Sequence, residues 1–123
     1  MDPRHAQRIK TIQNLFALSF DKLTNNLPYP DDQRTKEIRL NVKKIDSLIQ
    51  EYAQKYPLLK IAKTDLAILR LSIYELLIER KEPEKVVIDE AVELAKELSG
   101  DKAYGFVNAV LGKVLTNINT KKS

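Results

Sequence analysis

Between Thr64 and Arg80 the chain reads TDLAILRLSIYELLIER, and few architectures can accommodate such a stretch. Leu66, Ala67, Ile68, Leu69, Leu71, Ile73, Tyr74, Leu76, Leu77 and Ile78 put apolar groups on nearly every side of a helix. A surface helix needs one apolar stripe, whereas a helix apolar all round belongs in an interior. At 1.5 Å per residue it spans roughly 25 Å, about the diameter of a small domain. Asp65, Arg70, Ser72 and Glu75 interrupt it, and a membrane span of this length carries few or no charges. The stretch is therefore predicted to be a central helix around which the others pack.

The surrounding chain is short: 123 residues in all, enough for one domain with a core of its own. Only 3 Gly and 5 Pro argue against an all-β fold, which needs many tight turns. The absence of Cys removes disulfides and thiolate chemistry, and with a single His it leaves no ligand set for structural zinc. The first twenty residues mix polar and apolar groups and do not resemble a signal peptide, so a cytoplasmic location is expected. A net charge of +4 permits a nucleic-acid partner without requiring one.

Helical periodicity recurs on both sides of the centre. Asp2 and Pro3 open a first helix reaching about Asn25, with Ile9, Ile12, Phe16, Phe20 and Leu23 as its apolar line. Arg4, Arg8 and Lys22 fall on the flank of that line, Lys10 projects elsewhere, and His5 lies near the line at the helix start. NNLPYPDD breaks the chain, and Ile38, Val42, Ile45, Ile49, Tyr52 and Tyr56 then predict one long amphipathic helix ending before Pro57. PLLKIAK is a connector, with Thr64 as the expected N-cap of the central helix. After KEPEK, Val86-Val87-Ile88 has no strand to pair with. Ile88, Ala91, Val92, Ala95 and Leu98 instead give a helical stripe closed by Gly100. A last helix runs from about Lys102 to Asn117, followed by a polar tail. Phe106 points roughly 100° away from the core face of that helix, between Lys102 and Lys113. Two readings are open there: an exposed contact residue, or a ring covered by a neighbouring helix. The sum is an all-α, compact single-domain bundle of five to seven helices.

No catalytic constellation can be assembled, since there is no Gly-rich phosphate loop, His cluster or nucleophile elbow. Asp89, Glu90, Glu93 and Glu97 sit where the helix dipole and solvent account for them. Glu75 and Arg70 are the polar groups of the central helix expected to be partly buried, with partners on other helices. No enzyme is expected.

Three pieces in order then become specific. Asp65-Leu66-Ala67-Ile68-Leu69-Arg70-Leu71 with Tyr74-Glu75-Leu76-Leu77 is the first, and Pro83 followed by Val86-Val87-Ile88-Asp89-Glu90-Ala91-Val92-Glu93-Leu94-Ala95-Lys96 the second. Phe106-Val107-Asn108-Ala109-Val110-Leu111 is the third. Together they resemble the bacterial transcription antitermination NusB family. The resemblance implies a fold of two small helical halves, here about residues 1–56 and 57–119. It also implies a function: binding boxA-type single-stranded RNA together with NusE, which is also a small-subunit ribosomal protein. The complex helps RNA polymerase read through terminators, notably on ribosomal RNA operons. No cofactor, metal, membrane or enzymatic activity is implied. Carried onto this sequence, RNA contacts would fall on Arg4, His5, Arg8 and Lys10, with Lys102 added from its place beside Phe106. NusE contacts would fall on Phe16, Asp65 and Phe106, with Lys113 on the same flank.

Two alternatives accompany this expectation. One is a helical protein-interaction module, or a homodimer of the free protein, without RNA affinity of its own. The other is the NusB-like domain found in some ribosomal RNA cytosine methyltransferases, against which the lack of an α/β methyl-donor domain in this sequence argues.

Overall fold

The computed structural model describes residues 2–100 and 102–122, with the backbone alone at 121 and 122. The described residues form six α-helices: α1 (Pro3–Phe20), α2 (Gln33–Leu40), α3 (Val42–Tyr52), α4 (Lys63–Tyr74), α5 (Glu84–Leu98) and α6 (Ala103–Lys122). A short 3-10 turn, Leu58–Lys60, precedes α4, and a π-helical turn, Glu75–Glu79, extends it. As the apolar pattern requires, α4 is the axis, and α1, α2, α3, α5 and α6 all pack on it. Every residue from Asp65 to Tyr74 is buried. Val86–Ile88 lie within α5, and Gly100 follows it with φ +105°, the left-handed conformation expected of a C-terminal glycine.

Local chemistry sets the boundaries. The Asp2 carboxylate accepts from the Arg4 backbone N–H at 2.8 Å, and Pro3 fills the first turn of α1. Asp32 caps α2 by accepting from Thr35 N–H at 3.1 Å, and also takes bonds from Thr11 Oγ1 and Gln7 of α1. Fully buried Asn14 donates to the Tyr29 carbonyl and accepts from its N–H, pinning the α1–α2 loop.

Four boundaries differ from expectation. The long second helix is two: Asn41 takes φ −111°, ψ 11°, and its side chain bonds the Glu37 carbonyl at 2.8 Å, ending α2 where α3 begins. α1 stops at Phe20 because Asp21 is extended and its carboxylate accepts from Leu23 N–H instead. α4 begins one residue before Thr64, at Lys63, with Ala62 at the cap position and no capping side chain. α6 runs through the expected tail as far as Lys122.

The buried face of α1 is also rotated from its apolar line. Arg8, Thr11 and Asn14 are inside with Ile12, Leu15 and Leu18, while Phe16 and Phe20 are 40% and 66% exposed. Polar side chains hold that face because partners meet them there.

A candidate RNA and protein interface

Those partners define the surface where α1 meets α4 and α5. Arg8 is 3% exposed. Its Nε donates to Glu75 Oε2 at 3.0 Å and its Nη2 to Glu75 Oε1 at 2.8 Å, and Nη2 also pairs with Glu82. Burial pulls the Arg8 pKa down, but Glu75 and Glu82 outweigh it and the net shift is upward. Arg34 of α2 closes the other side with a forked pair onto Glu79, both bonds 2.9 Å, and lies 3.6 Å from Glu75. Glu75, itself 3% exposed, is thus a buried carboxylate between two guanidinium groups. Another buried charged residue of the central helix, Arg70, forks onto Asp46 of α3 at 2.8 and 2.9 Å.

The remaining cations at the start of α1 are similarly engaged. Arg4 bonds Glu82 at 2.9 Å and Asp2 at 3.3 Å, although most of its side chain stays in solvent. The Arg4 contacts hold the Asp2 carboxyl below the usual range. Burial pushes Glu82 up, but Arg8 and Arg4 bring it below its ordinary value. His5 lies between two carboxylates of α5, with Nδ1 paired to Glu90 and Nε2 2.9 Å from Glu97. The Glu90 bond is the main cause raising its pKa, burial opposes it, and Glu97 adds to the rise.

Of the residues expected to meet RNA, the structure therefore brings Arg4, His5 and Arg8 together, but around carboxylates. Arg8 does not stand on an outward flank: its guanidinium faces inward, because Glu75 lies buried opposite it. Lys10 is exposed, with Nζ 5.6 Å from the centre of the Tyr29 ring. Lys102 is exposed just ahead of α6.

Of the residues expected to meet the protein partner, Phe16 packs edge-on against Phe20, centroids 5.1 Å apart. Phe106 is half-buried, its ring edge-on to Tyr56 at 5.1 Å, so a residue after α3 covers one side of it. Lys113 is exposed along a shallow trough on α6 with Ala109, Gly112 and Thr116. Asp65 is buried at the start of α4 rather than displayed. Its Oδ1 and the Ser99 Oγ have no hydrogen-bond partner among the described residues. Burial pushes the Asp65 pKa up, with the Ser99 hydroxyl opposing.

The sequence reading missed Glu82, Glu90 and Glu97 as ligands of the α1 cations, assigning the last two to solvent. Glu75 inside an apolar helix signalled a distant cation, but no local pattern signalled these three acids. Among the described residues, no group of three or more His, Cys, Asp or Glu could hold a metal. No described helix is long and apolar enough to cross a membrane.

Comparison with known proteins agrees with the helical signatures. The NusB family model matches residues 6–116. The Lactiplantibacillus plantarum transcription antitermination protein NusB is 38% identical, over 93% of this chain and 95% of its own length. The Clostridium perfringens protein of the same name is 47% identical over 66% of this chain, and the match spans only 60% of that relative's length. Among solved structures, T. maritima NusB superposes with a TM-score of 0.79 at 30% identity, covering 91% of this chain and 89% of that one. A NusB–NusE complex with double-stranded RNA shares the fold, with a TM-score of 0.77 at 19% identity over 93% of this chain and 96% of that one.

Proposed function

The chain belongs to the NusB family, and from that premise we propose that it is a transcription antitermination factor. In this reading it binds boxA-type single-stranded RNA jointly with NusE in the cytoplasm. It acts within the RNA polymerase antitermination complex, notably on ribosomal RNA operons, and has no enzymatic role. The observation that carries the proposal is the family match over residues 6–116, which covers most of α1 and α6.

In this reading the proposed contacts have different duties. Lys10 and Lys102 are exposed and are the principal phosphate ligands of this reading, with Arg4, exposed but paired to Glu82 and Asp2, available only by giving up those partners. Arg8 and His5 act as positioning residues, tying the α1 backbone to α4 and α5 so that Arg4 is presented from a fixed helix. On the NusE side, Phe16 and Phe106 offer aromatic area and Lys113 a rim charge. Asp65, buried with the Ser99 hydroxyl beside it, offers NusE no exposed contact in this reading.

Titration of boxA RNA with and without NusE, at two salt concentrations, tests this. NusE should tighten binding, and Arg4→Ala or Lys10→Ala should each lower the salt slope by about one unit or less. Equal affinity for a scrambled RNA, with no effect of NusE, would leave a helical interaction module in its place.

A further inference from the structure

The second half of α1, the α2–α3 junction and the 3-10 turn enclose a groove of about 380 Å³. That volume falls in the range of roughly 300–1,000 Å³ typical of ligand-holding clefts. Its floor is aliphatic, set by Leu15, Leu18, Val42, Leu58 and Leu66, and Leu59 stands at its lip 96% exposed. Four cations rim it: Lys22, Arg39, Lys43 and Lys63. Arg39 donates to the Lys22 carbonyl at 3.1 Å, while Lys63 contacts the Ser19 carbonyl and the Phe20 ring. Among the described residues none of the four pairs with a carboxylate. The one acid lining the groove, Asp46, is taken by Arg70.

We propose that this groove docks an acidic amphipathic helical segment of a partner protein. Apolar side chains on one face of the segment fill the aliphatic floor, and its flanking Asp and Glu side chains meet the four rim cations. The floor decides between protein and nucleic acid. Single-stranded RNA is held by stacking of bases on aromatic or Arg planes. No aromatic residue lines this cleft, and its two guanidinium groups are engaged, Arg70 by Asp46 and Arg39 by the Lys22 carbonyl. None of Phe16, Asp65, Phe106 or Lys113 lines it either. The groove differs from the NusE reading in its lining but touches it at one rim, where Lys63 sits over the Phe20 ring that packs on Phe16.

The test uses a fluorescent peptide of about four helical turns, with Leu at helical spacing on one face and Glu on both flanks. A second peptide carries Lys in place of each Glu. Anisotropy should show saturable binding of the Glu peptide that weakens with salt, and much weaker binding of the Lys peptide. Lys43→Glu and Leu59→Asp, both exposed positions whose substitution leaves the core intact, should each weaken the Glu peptide by about tenfold. A circular dichroism spectrum identical to wild type checks the fold of each variant. Equal binding of both peptides, indifference to the two substitutions, or no saturation at about 1 mM overturns the proposal. An oligo(U) strand that binds more tightly than the Glu peptide and displaces it also overturns it, and makes the groove a nucleic-acid site.

Discussion

The two halves of α1 both lie among cations, and the surroundings treat those cations in opposite ways. At the amino end, Arg4, His5 and Arg8 are met by Asp2, Glu75, Glu82, Glu90 and Glu97. Just past the carboxyl end, Lys22 stands with Arg39, Lys43 and Lys63 around an aliphatic cleft without a free acid. Positive residues on a helix therefore do not by themselves make a surface for anions. What matters is whether neighbouring helices have already supplied the counter-charge. The first cluster mainly fastens α1 to the rest of the molecule, and the second leaves its field in solvent.

The widest separation between the halves should appear on removing one cation from each. Arg8→Ala leaves Glu75 buried without its principal partner and should cost about 3–5 kcal/mol in urea unfolding. Replacing both partners, as Arg8→Met with Glu75→Leu, should recover most of that loss. An Arg8→Ala protein as stable as wild type but weaker on RNA would reverse the assignment of the amino-terminal cluster. Next in size, Phe106→Ala should weaken NusE binding by about 1–3 kcal/mol with helical content intact and the groove's peptide affinity unchanged. Loss of helical content would make Phe106 a core ring instead.

A smaller effect concerns pH. His5 holds its proton more tightly in the folded chain. Its contribution is therefore full below the ordinary His value of about 6.5 and fades as pH rises through the raised folded value. Urea midpoints across that window should fall more steeply for wild type than for His5→Gln. Parallel curves would remove His5 from the α1–α5 tie. Smallest of all, Lys43→Ala should leave stability within about 0.5 kcal/mol, since no carboxylate depends on it. A larger loss would show that the groove cations are structural after all.

Much of the fold was legible because apolar period and caps are local properties. The all-round apolar run located α4, Asp2-Pro3 the start of α1, and Ser99-Gly100 the end of α5. The inward face of α1 was not legible. Arg8 read as a flank residue until Glu75, 67 positions away, is known to stand opposite it. The break at Asn41 was hidden by an apolar pattern that continues through it, while a side-chain bond to Glu37 ends the helix. At the candidate site, the roles of the aromatics and the first cations were named only as what the family resemblance implies. The pairing of those cations with Glu82, Glu90 and Glu97 depends on α5 lying beside α1, which no local pattern encodes.

The wide turn after α4 gives the chain a length constraint. There the Arg80 N–H reaches back five residues to the Glu75 carbonyl at 2.9 Å, one more than an α-helix allows. That extra residue sets the angle at which Glu79 and, beyond Arg80, Glu82 face the arginines of α1 and α2. Deleting a single residue between Glu75 and Glu79 would rotate the downstream chain by about 100° and separate both glutamates from their partners. Gaps and insertions should be poorly tolerated in this stretch, even where exchanges of side chain are harmless.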